Sequence, residues 1–413
     1  MMLKPSFSPL IWCAVGAMAL GCGGSTGGTG SPDDDSGLTQ TDSSSGDTGS
    51  NVGETGAPLD SATPSETSPG DDSGTPTDDS STTDSGTVTD STVTDSGTTG
   101  TDSAVTDSGT TTDTAVTPDT TTTAHVKTVF VIMMENHDWS AIKGSSGAPY
   151  INGLLSKASY ATNYNTPAGN HPSEPNYIWL EAGDNLKIKD DNDALTNHQS
   201  TTDHFVSQLT RAGISWKSYQ ENYDGATCPL TDNGLYAAKH NPMVFFDDVT
   251  DSHSTSSATC KAHVKPYTAL ATDLAGGSGL ARYNFITPNL CNDMHGNISF
   301  TDFCASSVTT GDTWLSTEVP KIMDSAAYKD NGALFIIWDE GTAPILGTSS
   351  DGPIGMILLS PLAKGGGYNN AIKYTHSSTL KTFERIFGVP YLRDAATATT
   401  TDLSDLFVAG ALP

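Results

Sequence analysis

Between Gly23 and Ala124 the chain contains no lysine, no arginine and no aromatic residue. A segment so poor in apolar side chains cannot bury a core, and its uncompensated acidic residues repel one another, which predicts a disordered spacer over residues 23–124. It holds a loose recurrence of Thr-Asp-Ser-Gly-Thr units, such as Thr83-Asp84-Ser85-Gly86-Thr87 and Thr106-Asp107-Ser108-Gly109-Thr110. These lack the glycine and acidic spacing of known calcium loops, so calcium capture is not expected of them. The spacer carries most of the formal net charge of −29, and that balance argues against a nucleic-acid partner. The apolar run Pro9–Leu20 falls short of the roughly 20 residues that cross a bilayer. With Lys4 before it and Ala19-Leu20-Gly21-Cys22 after it, it reads as a lipoprotein-type signal over residues 1–22. Two destinations follow: an outer-membrane or cell-surface protein anchored through a lipidated Cys22, or plain secretion.

No Cys-x-x-Cys pair suggests zinc or thiol redox chemistry, and no GxxxxGK[ST] pattern surrounds the glycines at Lys364-Gly365-Gly366-Gly367 to suggest a nucleotide site. Apart from Cys13 and Cys22, the cysteines are Cys228, Cys260, Cys291 and Cys304. An even number in an exported chain suggests two disulfides. Sequence order favours Cys228 with Cys260 and Cys291 with Cys304, with other pairings open.

What remains, 125–413, is long enough for one large α/β domain. Apolar, β-branched runs predict strands at Lys127–Met134, Ile214–Tyr219, Arg282–Thr287, Ala333–Trp338 and Ile354–Ser360. Helical spacing is read at Ala148–Tyr160, Thr202–Ala212, Asp312–Ala326 and from His376 onward. Alternation of the two predicts a mostly parallel central sheet with helices on both faces.

Several polar residues fall where such a sheet binds ligands, beyond the carboxyl ends of its strands. Glu135-Asn136 follows the first strand, and this carboxylate and amide suit an ion that prefers oxygen ligands. Asp339-Glu340 follows the most apolar strand, where adjacent buried carboxylates repel unless a divalent ion lies between them. Asp293 and His295 share a loop bounded by Cys291 and resemble a metal or phosphate site. In Gly169-Asn170-His171-Pro172-Ser173-Glu174-Pro175-Asn176-Tyr177, the prolines predict a helix entered at Ser173, with free N–H groups directed at whatever the serine holds. Ser173 is then either a nucleophile or simply an N-cap.

Taken together and in order, Met133-Met134-Glu135-Asn136, His171 to Tyr177, Lys239-His240-Asn241-Pro242, Pro288 to His295, Trp338-Asp339-Glu340 and the helix at His376 resemble the phosphoesterase family. That family unites bacterial phospholipases C with secreted acid phosphatases, within the alkaline-phosphatase-like superfamily. The resemblance implies an α/β sandwich, a divalent metal and a transiently phosphorylated serine. It implies Ser173 as nucleophile and Asn176 as a phosphoryl-oxygen ligand. Glu135, Asn136, Ser173, Asp339 and Glu340 would bind the metal. Asp293, His295, His376 and His240 are candidates for phosphate contact or leaving-group protonation, with His295 and His376 ranked first, and His171 would orient the nucleophile turn. The ion is one of Mg, Mn, Ca or Zn. Two-zinc members carry Asp-His where this chain has Asp339-Glu340, which favours a harder ion and one metal over two. The expected activity is an acid phosphatase, a phosphomonoesterase working on a phosphate ester substrate. Phospholipase C action on a lipid phosphodiester is the first alternative; the absence of appended C-terminal domains disfavours it. A non-catalytic surface binding protein on a hydrolase scaffold is the second.

Overall fold

The computed structural model describes residues 124–413 apart from 277–278, 298 and 343–351. The expected signal at 1–22, the lipidation at Cys22 and the spacer up to residue 123 lie outside the described residues. Among the described residues no helix is long and apolar enough to cross a membrane.

Eight strands form one sheet: β1 Thr128–Met134, β2 Ser159–Ala161, β3 Trp216–Gln220, β4 Val264–Pro266, β5 Tyr283–Thr287, β6 Gly332–Trp338, β7 Met356–Leu359 and β8 Asn369–Asn370. Their order across the sheet is β4-β3-β5-β1-β6-β7-β2-β8. From β4 to β6 every neighbouring pair is parallel, whereas β7 runs antiparallel to both β6 and β2. β1 and β6 are buried along their length apart from the partly exposed Thr128 at the start of β1, which is what a continuous apolar run requires when both sheet faces are covered.

The principal helices are α1 Pro149–Leu155, α2 Ser173–Ala182, α3 Phe205–Arg211, α4 Thr268–Leu274, α5 Val308–Asp324 and α6 His376–Phe387. They pack in two groups: α2, α3 and α6 against one another, and α5 against α1 and α4. Under the first group Phe335 of β6 meets Phe383 of α6 edge-on at 5.0 Å, and Phe205 of α3 meets Tyr283 of β5 at 5.0 Å. Full burial of one such ring contributes about 1.5–3 kcal/mol. Both disulfides take the favoured pairing, Cys228–Cys260 and Cys291–Cys304.

Two expectations need correction. The helix read over Ala148–Tyr160 stops at Leu155, and Ser159–Ala161 is strand β2. Ala158 to Ala161 are all buried, and so short a run carries no period that separates a helical turn from a strand. The helix expected over Asp312–Ala326 begins at Val308, capped by the Ser307 hydroxyl, and ends at Asp324. Asp312 lies inside it and accepts hydrogen bonds from the Tyr150 and Ile151 N–H groups, capping α1 from outside because Ala148 has no side chain to do so.

Glu384 on α6 is fully buried, and one of its oxygens accepts from the Leu392 N–H while the other has no partner among the described residues. Burial pushes its carboxyl up to about 9 from 4.5. A folded-state value above the unfolded one gives stability that is full below about pH 4.5 and declines as the pH rises toward 9. Glu384→Gln therefore flattens the pH dependence across that window. At pH 8 it unfolds at higher urea than the parent chain, its stability greater by up to about 5 kcal/mol.

Candidate active site

The parallel register of β1 and β6 pairs Met134 with Trp338, so the residues that follow emerge side by side. The Asn136 N–H donates to Asp339 Oδ1 at 3.0 Å, and Asn136 Nδ2 donates to Glu340 Oε1 at 2.7 Å. On the other side of β1, β5 leads into the loop holding Asp293, whose carbonyl accepts from the Glu135 N–H at 2.9 Å. Three adjacent strands thus deliver Glu135, Asp293 and Asp339 to one end of the sheet, all with no solvent exposure.

Ser173 is the first residue of α2, with Pro172 at the cap position. It is therefore not the N-cap. Its hydroxyl donates to Glu135 Oε2 at 3.0 Å, and the oxygen lies 3.5 Å from Asn136 Oδ1. One turn along the helix, the Tyr177 hydroxyl donates to Glu135 Oε1 at 2.6 Å. The helix ends at Gly183, with φ +71° and a hypothetical Cβ only 2.8 Å from the Leu392 carbonyl oxygen, so a side chain there is excluded twice over. The expected helix mouth of free donors is poorer than its position suggests: the Glu174 N–H is taken by Asp191 at 3.0 Å, and Pro175 has none.

The Asn176 amide donates to Glu340 Oε2 at 3.0 Å and to the Asn170 carbonyl at 2.9 Å, while its oxygen accepts from Asn170 Nδ2. It stitches the serine turn to Glu340. His171 Nδ1 lies 2.6 Å from the same Glu340 oxygen. Glu135, Asn136, Ser173, Asn176, Asp339, Glu340 and His171 therefore form one connected group.

The histidines rank differently from expectation. His376 is fully buried, with Nε2 2.6 Å from the Asp339 carbonyl oxygen and Nδ1 3.0 Å from the Tyr164 hydroxyl. Both nitrogens are engaged, and burial pulls its titration down to about 4. It supports the Asp339 backbone and has no nitrogen left for a leaving group, which corrects its high rank. His240 is central: it stacks on Tyr177 at 5.0 Å, its Nε2 stands 3.1 Å from Glu135 Oε1 and its Nδ1 3.4 Å from Asp293 Oδ2. Burial first, then Lys239 and His295, hold it neutral far below its ordinary range. His295 lies edge-on to His240 at 5.9 Å, half-buried, with Nδ1 2.6 Å from the Gly296 carbonyl oxygen. It borders a cavity of about 410 Å³ that Lys239 and Phe303 also line.

Lys239 and Tyr177 belong to the site although no role was read for them. Tyr177 was accessible to sequence reasoning, since a residue four after the serine shares its helix face. Lys239 was not, because its carboxylate neighbours come from distant strands. Its ammonium pairs with Asp191 at 2.8 Å and draws the Glu135 carboxyl downward against burial.

Burial is the leading cause that pushes Glu135, Asp293 and Asp339 above the usual carboxylate range. For Asp293 and Asp339 the next cause is repulsion from Glu135. Asp339 Oδ2 and Asp293 Oδ2 are buried without a hydrogen-bond partner among the described residues. Orphaned oxygens in a crowd of carboxylates fit a cation, and a donor set of carboxylates, one amide and one hydroxyl suits a hard divalent ion.

A phosphatidylinositol-3-phosphatase of Mycobacterium tuberculosis is 30% identical over 262 residues, covering 63% of this chain and 77% of that protein. An acid phosphatase of Aspergillus fumigatus is 27% identical over 281 residues, covering 64% of this chain. The chain spans just over half the length of that fungal relative, 55%. Among solved structures, an alkaline phosphatase superfamily protein from Vibrio parahaemolyticus aligns over 67% of this chain and 71% of its own, with a TM-score of 0.44 and 11% identity. Residues 149–390 match the Phosphoesterase family, more than half of the chain. The chain belongs to the Phosphoesterase family and is a hydrolase acting on phosphoric ester bonds.

Proposed function

We propose that this protein is a metal-dependent phosphomonoesterase that works through a phosphoserine at Ser173. The observation carrying the reading is the Ser173 hydroxyl, buried at the carboxyl end of β1 and donating to Glu135 at 3.0 Å beside Asn136. Glu135, Asn136, Ser173, Asp339 and Glu340 would hold the ion, which when bound lowers the cost of a serine alkoxide and offsets phosphoryl charge. Glu135 Oε2 receives the serine proton as Ser173 Oγ forms its bond to phosphorus and the bond to the leaving oxygen breaks. His295 Nε2 is the group proposed to hand a proton to that leaving oxygen. Water then attacks the phosphoserine, giving a proton to His295 Nε2, while Glu135 returns its proton to Ser173 Oγ as the serine–phosphorus bond breaks and phosphate leaves. Neutral His240, held between Tyr177, Glu135 and Asp293, orients the base without adding charge, and Asn176 keeps the serine turn against Glu340. The cavity beside His295 receives the leaving group.

Phosphoinositide monoesters are a candidate substrate class, since the mycobacterial relative is named for one. Phe300 and Phe303, exposed on the loop closed by Cys291–Cys304, give an apolar surface suited to a lipid's acyl chains, and Phe303 also lines the cavity. Export by residues 1–22 and anchoring through Cys22 complete the proposal. The test is turnover of p-nitrophenyl phosphate, a phosphoinositide monoester and phosphatidylcholine, with and without EDTA. Chelator-sensitive monoester hydrolysis is expected; cleavage of the diester alone would move the assignment to phospholipase C.

A further inference from the structure

We propose that His198, Asp247 and His253 form a second metal site, separate from the carboxylate group around Ser173, which takes one divalent transition-metal ion of the zinc class. Residues far apart in sequence are brought together by backbone pairing: the Gln199 N–H donates to the Phe245 carbonyl at 2.7 Å, and the Asp247 N–H donates to the Gln199 carbonyl at 2.9 Å. On this frame His198 Nδ1 lies 3.1 Å and His253 Nδ1 3.3 Å from the same oxygen, Asp247 Oδ1, with ring centroids 4.1 Å apart. One ligand atom from each residue lies within 4.8 Å of the other two. A tetrahedral zinc ion with bonds of about 2.0–2.1 Å separates its ligand atoms by roughly 3.3 Å. Both nitrogen-to-oxygen separations therefore match edges of a zinc coordination tetrahedron.

The backbone is bent to achieve this. Asp251, Ser252 and His253 have φ of 50°, 57° and 57°, three consecutive non-glycine residues in the left-handed region, which L side chains rarely adopt. The run turns His253 back over Asp247, helped by the Ser252 N–H donating to the Asp247 carbonyl and the His253 N–H donating to Thr250 Oγ1, each at 3.0 Å. Two imidazoles and a carboxylate favour Zn²⁺, Ni²⁺, Co²⁺ or Cu²⁺ over the hard ions that suit the oxygen set at Ser173. The side chains are partly exposed, so an ion enters from solvent and keeps a water as its fourth ligand.

The position gives the ion a structural use. Asn197, next to His198, donates to Glu174 Oε1 at 3.0 Å, one residue beyond the serine. Asp248, next to Asp247, bonds His204 Nε2 at 2.8 Å, and His204 Nδ1 lies 3.0 Å from Glu181 near the far end of α2. An ion joining His198 to Asp247 therefore ties together segments that hold both ends of the nucleophile helix.

The experiment compares the full chain with His198→Ala, His253→Asn and Asp339→Asn. Asparagine tolerates the left-handed backbone at position 253, and circular dichroism of each variant checks its fold. Each protein is stripped of metal and titrated with Zn²⁺ by calorimetry, and the Co²⁺ forms are examined for visible d–d absorption. The parent chain and Asp339→Asn are expected to bind one equivalent that His198→Ala and His253→Asn bind at least about 100-fold more weakly. Zn²⁺ should also raise the melting temperature of the parent more than that of either histidine variant. Equal Zn²⁺ uptake by the parent and both histidine variants overturns the proposal. So does uptake lost only in Asp339→Asn, which would leave the pair of histidines as hydrogen-bond partners of Asp247 alone.

Discussion

Replacing Ser173 by alanine is expected to lower kcat for p-nitrophenyl phosphate by about 10⁴-fold or more, because the covalent route has no other oxygen to carry the phosphoryl group. The hydroxyl also donates to Glu135 Oε2, so its loss leaves one buried acceptor unsatisfied at a cost of about 1–3 kcal/mol. That is small enough for the variant to remain folded, and circular dichroism separates loss of chemistry from loss of structure. Acid quenching during turnover provides the second readout: the parent chain traps phosphate on Ser173 and the alanine variant traps none. Residual activity within about tenfold of the parent would remove the serine from the mechanism.

Asp339→Asn carries the next largest effect, with opposite signs for activity and metal-free stability. Asp339 Oδ1 accepts from the Asn136 N–H, and Oδ2 is buried without a hydrogen-bond partner among the described residues. An amide keeps the first contact and loses the charge that would hold the ion. Activity in saturating Mg²⁺ or Mn²⁺ is expected to fall about 10³-fold, the equivalent of several kcal/mol of transition-state charge stabilisation. Without metal the variant is expected to be the more stable of the two. Burial, then Glu135 and Glu340, push the Asp339 carboxyl well above 3.8. A raised folded-state value means stability that is present below the unfolded value and is lost as pH rises through the folded one. The metal-free parent chain should therefore weaken progressively above about pH 4, Asp339→Asn should weaken less, and added Mg²⁺ or Mn²⁺ should restore the parent alone. Urea midpoints at pH 5 and pH 8, with and without EDTA, measure all three. A parent chain whose stability ignores EDTA at both pH values would remove the cation from the cluster.

Much of this site is legible in the sequence. Glu135-Asn136 and Asp339-Glu340 each end an uninterrupted apolar run, and in a parallel sheet such ends face one another. The serine turn was equally readable, because Pro172 and Pro175 restrict the chain to a helix start. The direction of β7 was not, since an apolar run of four residues pairs as well antiparallel as parallel. Nor was the order of the histidines. His376 ranks high in what the resemblance implies, yet its partners Tyr164 and Asp339 come from elsewhere in the chain. His240 ranks below His295 and His376 in the sequence, and its placement between Glu135 and Asp293 depends on the pairing of β5 with β1.

Taken alone, the amino-acid order determined which carboxylates, amide and serine gather, because hydrophobic period and proline position act locally and leave little choice of strand end or helix start. Only the tertiary structure decided which imidazole faces those carboxylates and which sits behind them, and that His198 and His253 meet over Asp247. A side chain's partners and its share of water are set by segments that folding, and not sequence proximity, brings within a few ångströms.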